Sequence, residues 1–291
     1  MKKTLAFALA CVVCVSIAFS FSVKRIKAEN PVVKSEEYKA VLELWSIDTF
    51  EGGKGSRRDF LLKTSVKFEK KYKGVIISVL SYTPKEAEEA IKQKVPDIVS
   101  CGAGLDFFIP YMQSVSFSSD FETLTLGKKS YGISWCYGGY VIFGRGKNLA
   151  VGQGDYNEPL NALKGRENAF DKIDVYTPKE AYARYLKGDC ALLGTQRDIY
   201  RLVGKGKEID YEVLDGFSDL FQNMFITCSD KNKFSYCENF LAYMLSDETQ
   251  ARLGEIGMLS VKGKNLYDGT PMEKLEKLKV EKFTSFFKEN L

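Results

Sequence analysis

The hexapeptide Tyr82-Thr83-Pro84-Lys85-Glu86-Ala87 returns letter for letter as Tyr176-Thr177-Pro178-Lys179-Glu180-Ala181. In each copy a Thr stands three residues before a Glu, with Pro in the first turn, which is the grammar of a capped helix start. Each copy is followed by an Asp, an apolar run and a glycine. The first run is Asp97-Ile98-Val99-Ser100-Cys101-Gly102 and the second is Asp189-Cys190-Ala191-Leu192-Leu193-Gly194. The same order on both sides of the repeat predicts two similar α/β lobes.

Outward from the first copy the pattern extends in both directions. Residues 75–80 form an apolar strand, and Gly74 closes a helix before it. That helix starts at Ser56-Arg57-Arg58-Asp59 and puts Phe60, Leu61, Thr64, Phe68 and Tyr72 on one face. Ahead of it lie a loop over residues 49–55 with three glycines and a strand over 41–45. The helix opened by Thr83 is predicted to run to Lys94, and a short third strand covers 97–100. Strand, helix, strand, helix, strand is the order of a parallel sheet covered on both faces. Residues 131–145 are rich in aromatics and glycine. Residues 224–227 are apolar, a helix carries Phe240, Leu241, Met244 and Leu245, and Thr270-Pro271-Met272-Glu273 caps a closing helical segment.

Charge narrows the function. The 291 residues include 42 Lys and Arg, 38 Asp and Glu, and no His. Lys2, Lys3, Lys24, Arg25 and Lys27 fall within residues 1–28, which hold no acid. Without those five bases, 37 remain against 38 acids, so the body lacks the basic footprint that nucleic acid requires. The absence of His removes Ser-His-Asp and Cys-His catalysis and His-based zinc sites. Cys101, Cys136, Cys190, Cys228 and Cys237 are odd in number, widely spaced and without a C-x-x-C pair. They imply neither a disulfide framework nor a zinc site, and no metal or cofactor is expected.

Lys2-Lys3 precedes twenty uncharged residues, 4–23, the pattern of an export signal. At about 1.5 Å per residue the run is also long enough to anchor the chain across a bilayer core of about 30 Å. Cys11 and Cys14 leave lipid attachment open. Each alternative makes residues 1–28 a signal peptide or membrane anchor and places the body outside the cytoplasm, secreted or held at the outer face of the cell membrane.

With these elements in order, the chain resembles the family 1 extracellular solute-binding proteins of bacterial ABC importers. The resemblance is carried by VLELWS (41–46), FEKKYKGVIISVL (68–80), PDIVSCGAG (96–104), YGISWCYGGYVIFGR (131–145) and YCENFLAYMLSDETQARLGEIGMLSV (236–261). It covers about residues 38–265; the family usually has Pro at the place of Ser134. It implies a type II periplasmic-binding-protein fold, two α/β lobes joined by crossing hinge strands. On that pattern lobe 1 takes residues 38–135 and 226–257, and lobe 2 takes 136–225 and 258–291. It further implies a monomer that captures a small solute, a sugar or oligosaccharide, between its lobes and presents it to ABC permease subunits.

In open parallel sheets ligands sit beyond the carboxyl ends of strands, which selects three loops. Gly53, Ser56 and Arg57 belong to the loop and helix start after the first strand. Gly102 follows the third strand. Thr195, Gln196 and Arg197 hold the matching place in the second lobe, two neutral hydrogen-bonders and a fork for a carboxylate or phosphate. Trp45 is expected at the cleft mouth, and Trp135, Tyr137 and Gly138 on the crossing strand at its floor. Arg57, Arg58, Lys54 and Arg197 keep an anionic solute open. Two alternatives stand beside transport: an enzyme on the same fold with Cys101 as nucleophile, and a membrane-anchored ligand sensor.

Overall fold

The computed structural model describes residues 38–116, 123–126 and 129–283; the expected signal peptide or anchor at 1–28 lies outside them. From Ala40 onward the chain forms one unit, which begins β1 (Ala40–Ile47), α1 (Arg57–Lys71), β2 (Val75–Tyr82), α2 (Pro84–Ala90) and β3 (Ile98–Cys101). β1 pairs in parallel with β2 on one side and β3 on the other. Helical crossovers are the ordinary way to connect parallel neighbours. Ser56 caps α1 by accepting from Asp59 N at 3.1 Å. Phe60, Leu61, Thr64 and Phe68 then lie buried along that helix. Phe68 meets Phe240 edge-on at 5.2 Å. Each such ring contributes about 1.5–3 kcal/mol by leaving water.

Thr83 and Glu86 complete a capping box on α2. The helix ends at Ala90, not at Lys94 as expected. Residues 91–93 form a turn, and Val95 precedes Pro96, whose ring pushes its neighbour out of helical conformation.

β4 (Thr123–Leu126) and β5 (Lys129–Tyr137) finish one side of the first sheet. The chain then leaves it for β6 (Tyr140–Phe143), β7 (Asn148–Gly152), β8 (Lys172–Tyr176), α3 (Pro178–Lys187), β9 (Ala191–Thr195), α4 (Gln196–Gly204) and β10 (Tyr211–Val213). After β11 (Gly216–Ser218) it returns through β12 (Phe221–Ile226), α5 (Lys231–Met244) and α6 (Asp247–Gln250). It closes with α7 (Glu273–Glu276) and β13 (Val280–Phe283), which pairs with β11.

The first sheet has the order β2-β1-β3-β12-β5-β4 and the second β10-β6-β9-β7-β8. Read from β2 and from β8, both sheets place three parallel strands beside one antiparallel strand, β12 or β6. The repeated hexapeptide occupies the same place in each. Its Tyr ends the outer strand, at Ile47↔Tyr82 and Gly152↔Tyr176, and its Thr caps the helix that follows.

Three segments cross between the sheets: residues 138–139, 219–220 and 258–260, where Leu259 bridges Tyr137. The expected boundaries shift accordingly. β5 stays in the first sheet through Tyr137, and β12 belongs wholly to that sheet, so the return falls before Phe221 and not at 226. Among the described residues no helix is long and apolar enough to cross a membrane.

Candidate functional site

A cavity of about 290 Å³ opens between the two sheets. Asp48, Thr49, Phe50 and Glu51 line it from the loop after β1. Gly152, Gly154 and Asn157 line it from the loop after β7, the matching strand of the second sheet. Gly194, Thr195 and Asp198 close it from the end of β9 and the start of α4, with Tyr140 and Leu220 at the crossings. The wall is therefore built at the carboxyl ends of parallel strands in both lobes, where backbone groups run out of sheet partners.

Several side chains hold this wall from behind. Arg57 is 2% exposed. Its Nε donates to Asp48 at 2.9 Å, its Nη2 donates to the Phe50 carbonyl at 2.5 Å, and its guanidinium lies 4.0 Å from the Phe50 ring centroid. Gly102 packs against Thr49 so closely that a Cβ there would fall 1.8 Å from Thr49 Oγ1. Tyr140 donates its hydroxyl to Asp219 at 2.5 Å, and Glu158 N donates to the same carboxylate. Burial pushes the Asp219 carboxyl above the usual range. Burial likewise raises Asp198, against the pull of Thr195 N–H and Arg201.

The lobes also touch across the cleft. Arg197 Nη1 donates to the Gly53 carbonyl at 2.8 Å. Arg201 bridges Glu51 of the first lobe at 2.8 Å and Asp198 of its own helix at 3.0 Å. Lys54 lies over the Tyr200 ring. At the hinge, Gln196 is fully buried; it accepts from Gly139 N at 3.2 Å and donates to Met258 Sδ at 3.6 Å.

No protein-family profile and no curated protein matches the sequence. Solved structures do. A "putative extracellular solute-binding protein" from Bordetella parapertussis is 12% identical with a TM-score of 0.59, over 84% of this chain and 92% of that one. A ferric binding protein from Bordetella gives 12% identity and 0.58, over 82% and 92%. The maltose/maltodextrin-binding domain MalE from Bdellovibrio bacteriovorus, bound to maltotriose, gives 12% and 0.55, over 84% and 88%. The fold is that of the type II periplasmic binding proteins.

Within this binding-protein fold the sequence-selected residues separate into distinct groups. Thr195 lines the cavity and caps α4 by accepting from Arg197 N. Gly53 and Arg197 meet each other across the cleft. Arg57 and Gly102 support the lining loop, and Ser56 caps α1. Tyr137 stacks on Phe221 at 5.3 Å beside the hinge, and Gly138 packs on Gln196. The two tryptophans stand elsewhere than expected. Trp45 is 1% exposed; it packs on Tyr82 and Phe108 and donates to Glu43. Trp135 is fully buried; it stacks on Phe60 at 5.6 Å and donates to Ser100. Both rings face the helical layers of the first lobe instead of the cleft, because the sheet is covered on both sides and each indole found its partners there.

Cys101 is fully buried and burial drives its thiol far upward, the reverse of what an attacking thiolate needs. Among the described residues no three His, Cys, Asp or Glu side chains are placed to hold a metal ion. Asp48, Tyr140 and Asn157 line the cavity although none was selected from the sequence. The repeat offered one signal: if the two copies are equivalent, the loop before the second strand–helix unit, 152–157, is the counterpart of 48–51.

Proposed function

We propose that this chain is an extracytoplasmic solute-binding protein of an ABC import system. It captures one small solute between its lobes and delivers it to permease subunits. The observation that carries this is the cavity walled by matching loops of both lobes, with Arg197 and Arg201 reaching over it from one lobe to the other. Closure would fasten these two contacts, and release would require breaking them. The likeness in fold to solute-binding proteins supports the same reading, as does the export pattern of residues 1–28.

The solute we favour is a hydroxylated one of sugar type, monosaccharide-sized. A cavity of about 290 Å³ stands at the small end of ligand sites, which run from about 300 to 1,000 Å³. An oligosaccharide needs more. Phe50 and Tyr140 supply apolar surface, and Asn157 and the carboxylates supply polar edges. Binding without covalent chemistry fits the inert Cys101.

A thermal-shift screen of monosaccharides, amines and small anions tests this. A solute at 100 times its dissociation constant adds about 2.7 kcal/mol, or about 5–10 °C in a chain of this size. Small-angle scattering with the best hit should show a smaller radius of gyration. A screen without any shift, together with an unchanged radius, would refute capture.

A further inference from the structure

Beyond solute capture, and whatever the solute is, we infer that the first lobe rests on an anionic lipid surface through the end of its sheet opposite the cleft. Val41 pairs with Ile76 across β1 and β2, on the face that also carries Trp45 and Leu80. Toward the cleft α2 covers this face, with Ala87 and Ile91 packed against Trp45 and Leu80. But α2 has seven residues and is about 10 Å long, whereas the eight residues of β1 extend about 26 Å. The far half of the face is left bare. Val41 is 54% exposed and Ile76 36%, and Val95, where the chain runs down from α2, is 40% exposed. Neighbouring apolar side chains left in water mark an interaction surface.

Four segments meet at this end. Ala40 N donates to the Gly74 carbonyl at 3.3 Å, Asp97 N to the Glu43 carbonyl at 3.0 Å, and Thr227 N to the Asp97 carbonyl at 3.0 Å. Residues 38–43, 69–76, 91–97 and 228–233 together hold eight Lys and four acids. Each acid is engaged: Glu43 by Lys94, Asp97 by Lys233, Glu69 by Ile77 N–H and Asp230 by Asn232 N–H. Lys39, Lys70, Lys73, Lys92 and Lys231 are exposed and form no ion pair among the described residues. The linker ahead of them, 24–37, holds four bases and three acids. Toward the cleft α2 carries Lys85 against Glu86, Glu88 and Glu89, so the basic character stops where the bare face ends. After residue 28 the chain has 37 bases against 38 acids, and the excess is therefore local.

A second copy of the chain would bring the same lysines face to face, and like charges repel. An anionic bilayer offers negative headgroups to the lysines and an interface for the apolar centre. The chain outside the described residues leads to the same place. It joins at Tyr38, two residues before β1, and its uncharged run 4–23 is long enough to span a bilayer core. The linker between them reaches about 50 Å at most. The cleft, at the opposite ends of the same strands, then faces away from the lipid.

The test is acetylation footprinting by mass spectrometry on the full chain bound to vesicles, either phosphatidylcholine alone or an equal mixture with phosphatidylglycerol. Labelling of Lys39, Lys73 and Lys92 should fall about fivefold in the anionic vesicles, relative to Lys205 and Lys207 of the second lobe, and should recover in high salt. Lys73→Glu with Lys92→Glu should abolish the protection of Lys39. Equal labelling in both lipids overturns the proposal, as does a chain that binds neither vesicle. Protection that persists in salt, or without anionic lipid, overturns it too, because a second copy or the linker then covers the face. None of these outcomes bears on solute capture, which the thermal-shift screen decides.

Discussion

The Arg197 guanidinium spans the cleft to the Gly53 carbonyl, at 2.8 Å, although the two residues lie 144 positions apart. Gly53 is held tightly at its own end: a Cβ there would fall 2.1 Å from the Gly257 carbonyl. The contact therefore joins the second lobe to a tightly packed point of the first.

Arg197→Ala should loosen closure more than it loosens folding. A hydrogen bond from a charged, partly exposed group is worth about 1–2 kcal/mol, equivalent to a fall in Tm of about 2–8 °C. The radius of gyration of the solute-free protein should rise. A variant that unfolds outright, or that scatters like the parent, would show that Arg197 does not act as a latch.

At the hinge, Gly138 and Gln196 share one space. A Cβ on Gly138 would fall 2.3 Å from Gln196 Nε2, and Gly138 has no positive φ, so an Ala there has to displace the Gln196 amide and nothing else. Gly138→Ala is expected to cost about 1–3 kcal/mol, and Gln196→Ala a similar amount by orphaning Gly139 N–H. The double variant should cost less than the two together by about 1 kcal/mol or more. Urea denaturation of all four proteins measures this, and strict additivity would disprove the shared space.

Asp219 should make stability fall as pH rises. Burial raises its folded-state pKa above the ordinary value of 3.8, so the folded protein holds this proton more tightly than the unfolded chain does. Its contribution is fully present below the unfolded pKa and is lost as pH rises through the folded one. The stability of the parent relative to Asp219→Asn should therefore improve from pH 7 toward pH 4. Urea midpoints across that range decide it; a difference that shrinks on acidification contradicts the assignment.

Tryptophan emission should report the first lobe's core and ignore solute. Trp45 and Trp135 are both enclosed, with rings packed on Tyr82, Phe108 and Phe60. Emission is expected to be blue-shifted and nearly unchanged by a bound solute, and to shift red only on unfolding. A saturable change during titration would mean that closure reaches into the α1 layer.

The local signals were legible in the sequence. Ser56, Thr83 and Thr177 cap helices as expected, because capping depends on neighbours three residues away, whereas Thr270 does not: α7 starts at Glu273 behind Met272, with no side-chain cap. The duplicated hexapeptide marked equivalent places in two sheets for the same reason. What the sequence could not show is which face of a strand looks at the cleft. β3 and β12 are buried at every position, so alternation carries no face information in a sheet covered on both sides. In β5 too, residues 132–136 are buried without a break, so nothing in the sequence tells that Trp135 faces α1 and not the cleft. β10 and β11 have three residues each, too short for any period, so no pattern in the sequence marks where the second sheet ends and the return to the first begins. Asn157 and Asp219 acquire their roles only when distant loops meet.

The place of β12 has a consequence for how the chain assembles. It lies between β3 and β5, yet it is synthesised after the whole second sheet. A chain delivered amino end first therefore holds β1, β2 and β3 on one side of a gap and β5 on the other until residue 226 arrives. Pairings over such long sequence separations form slowly. A polypeptide built this way leaves its first sheet open until more than three quarters of its length is in place.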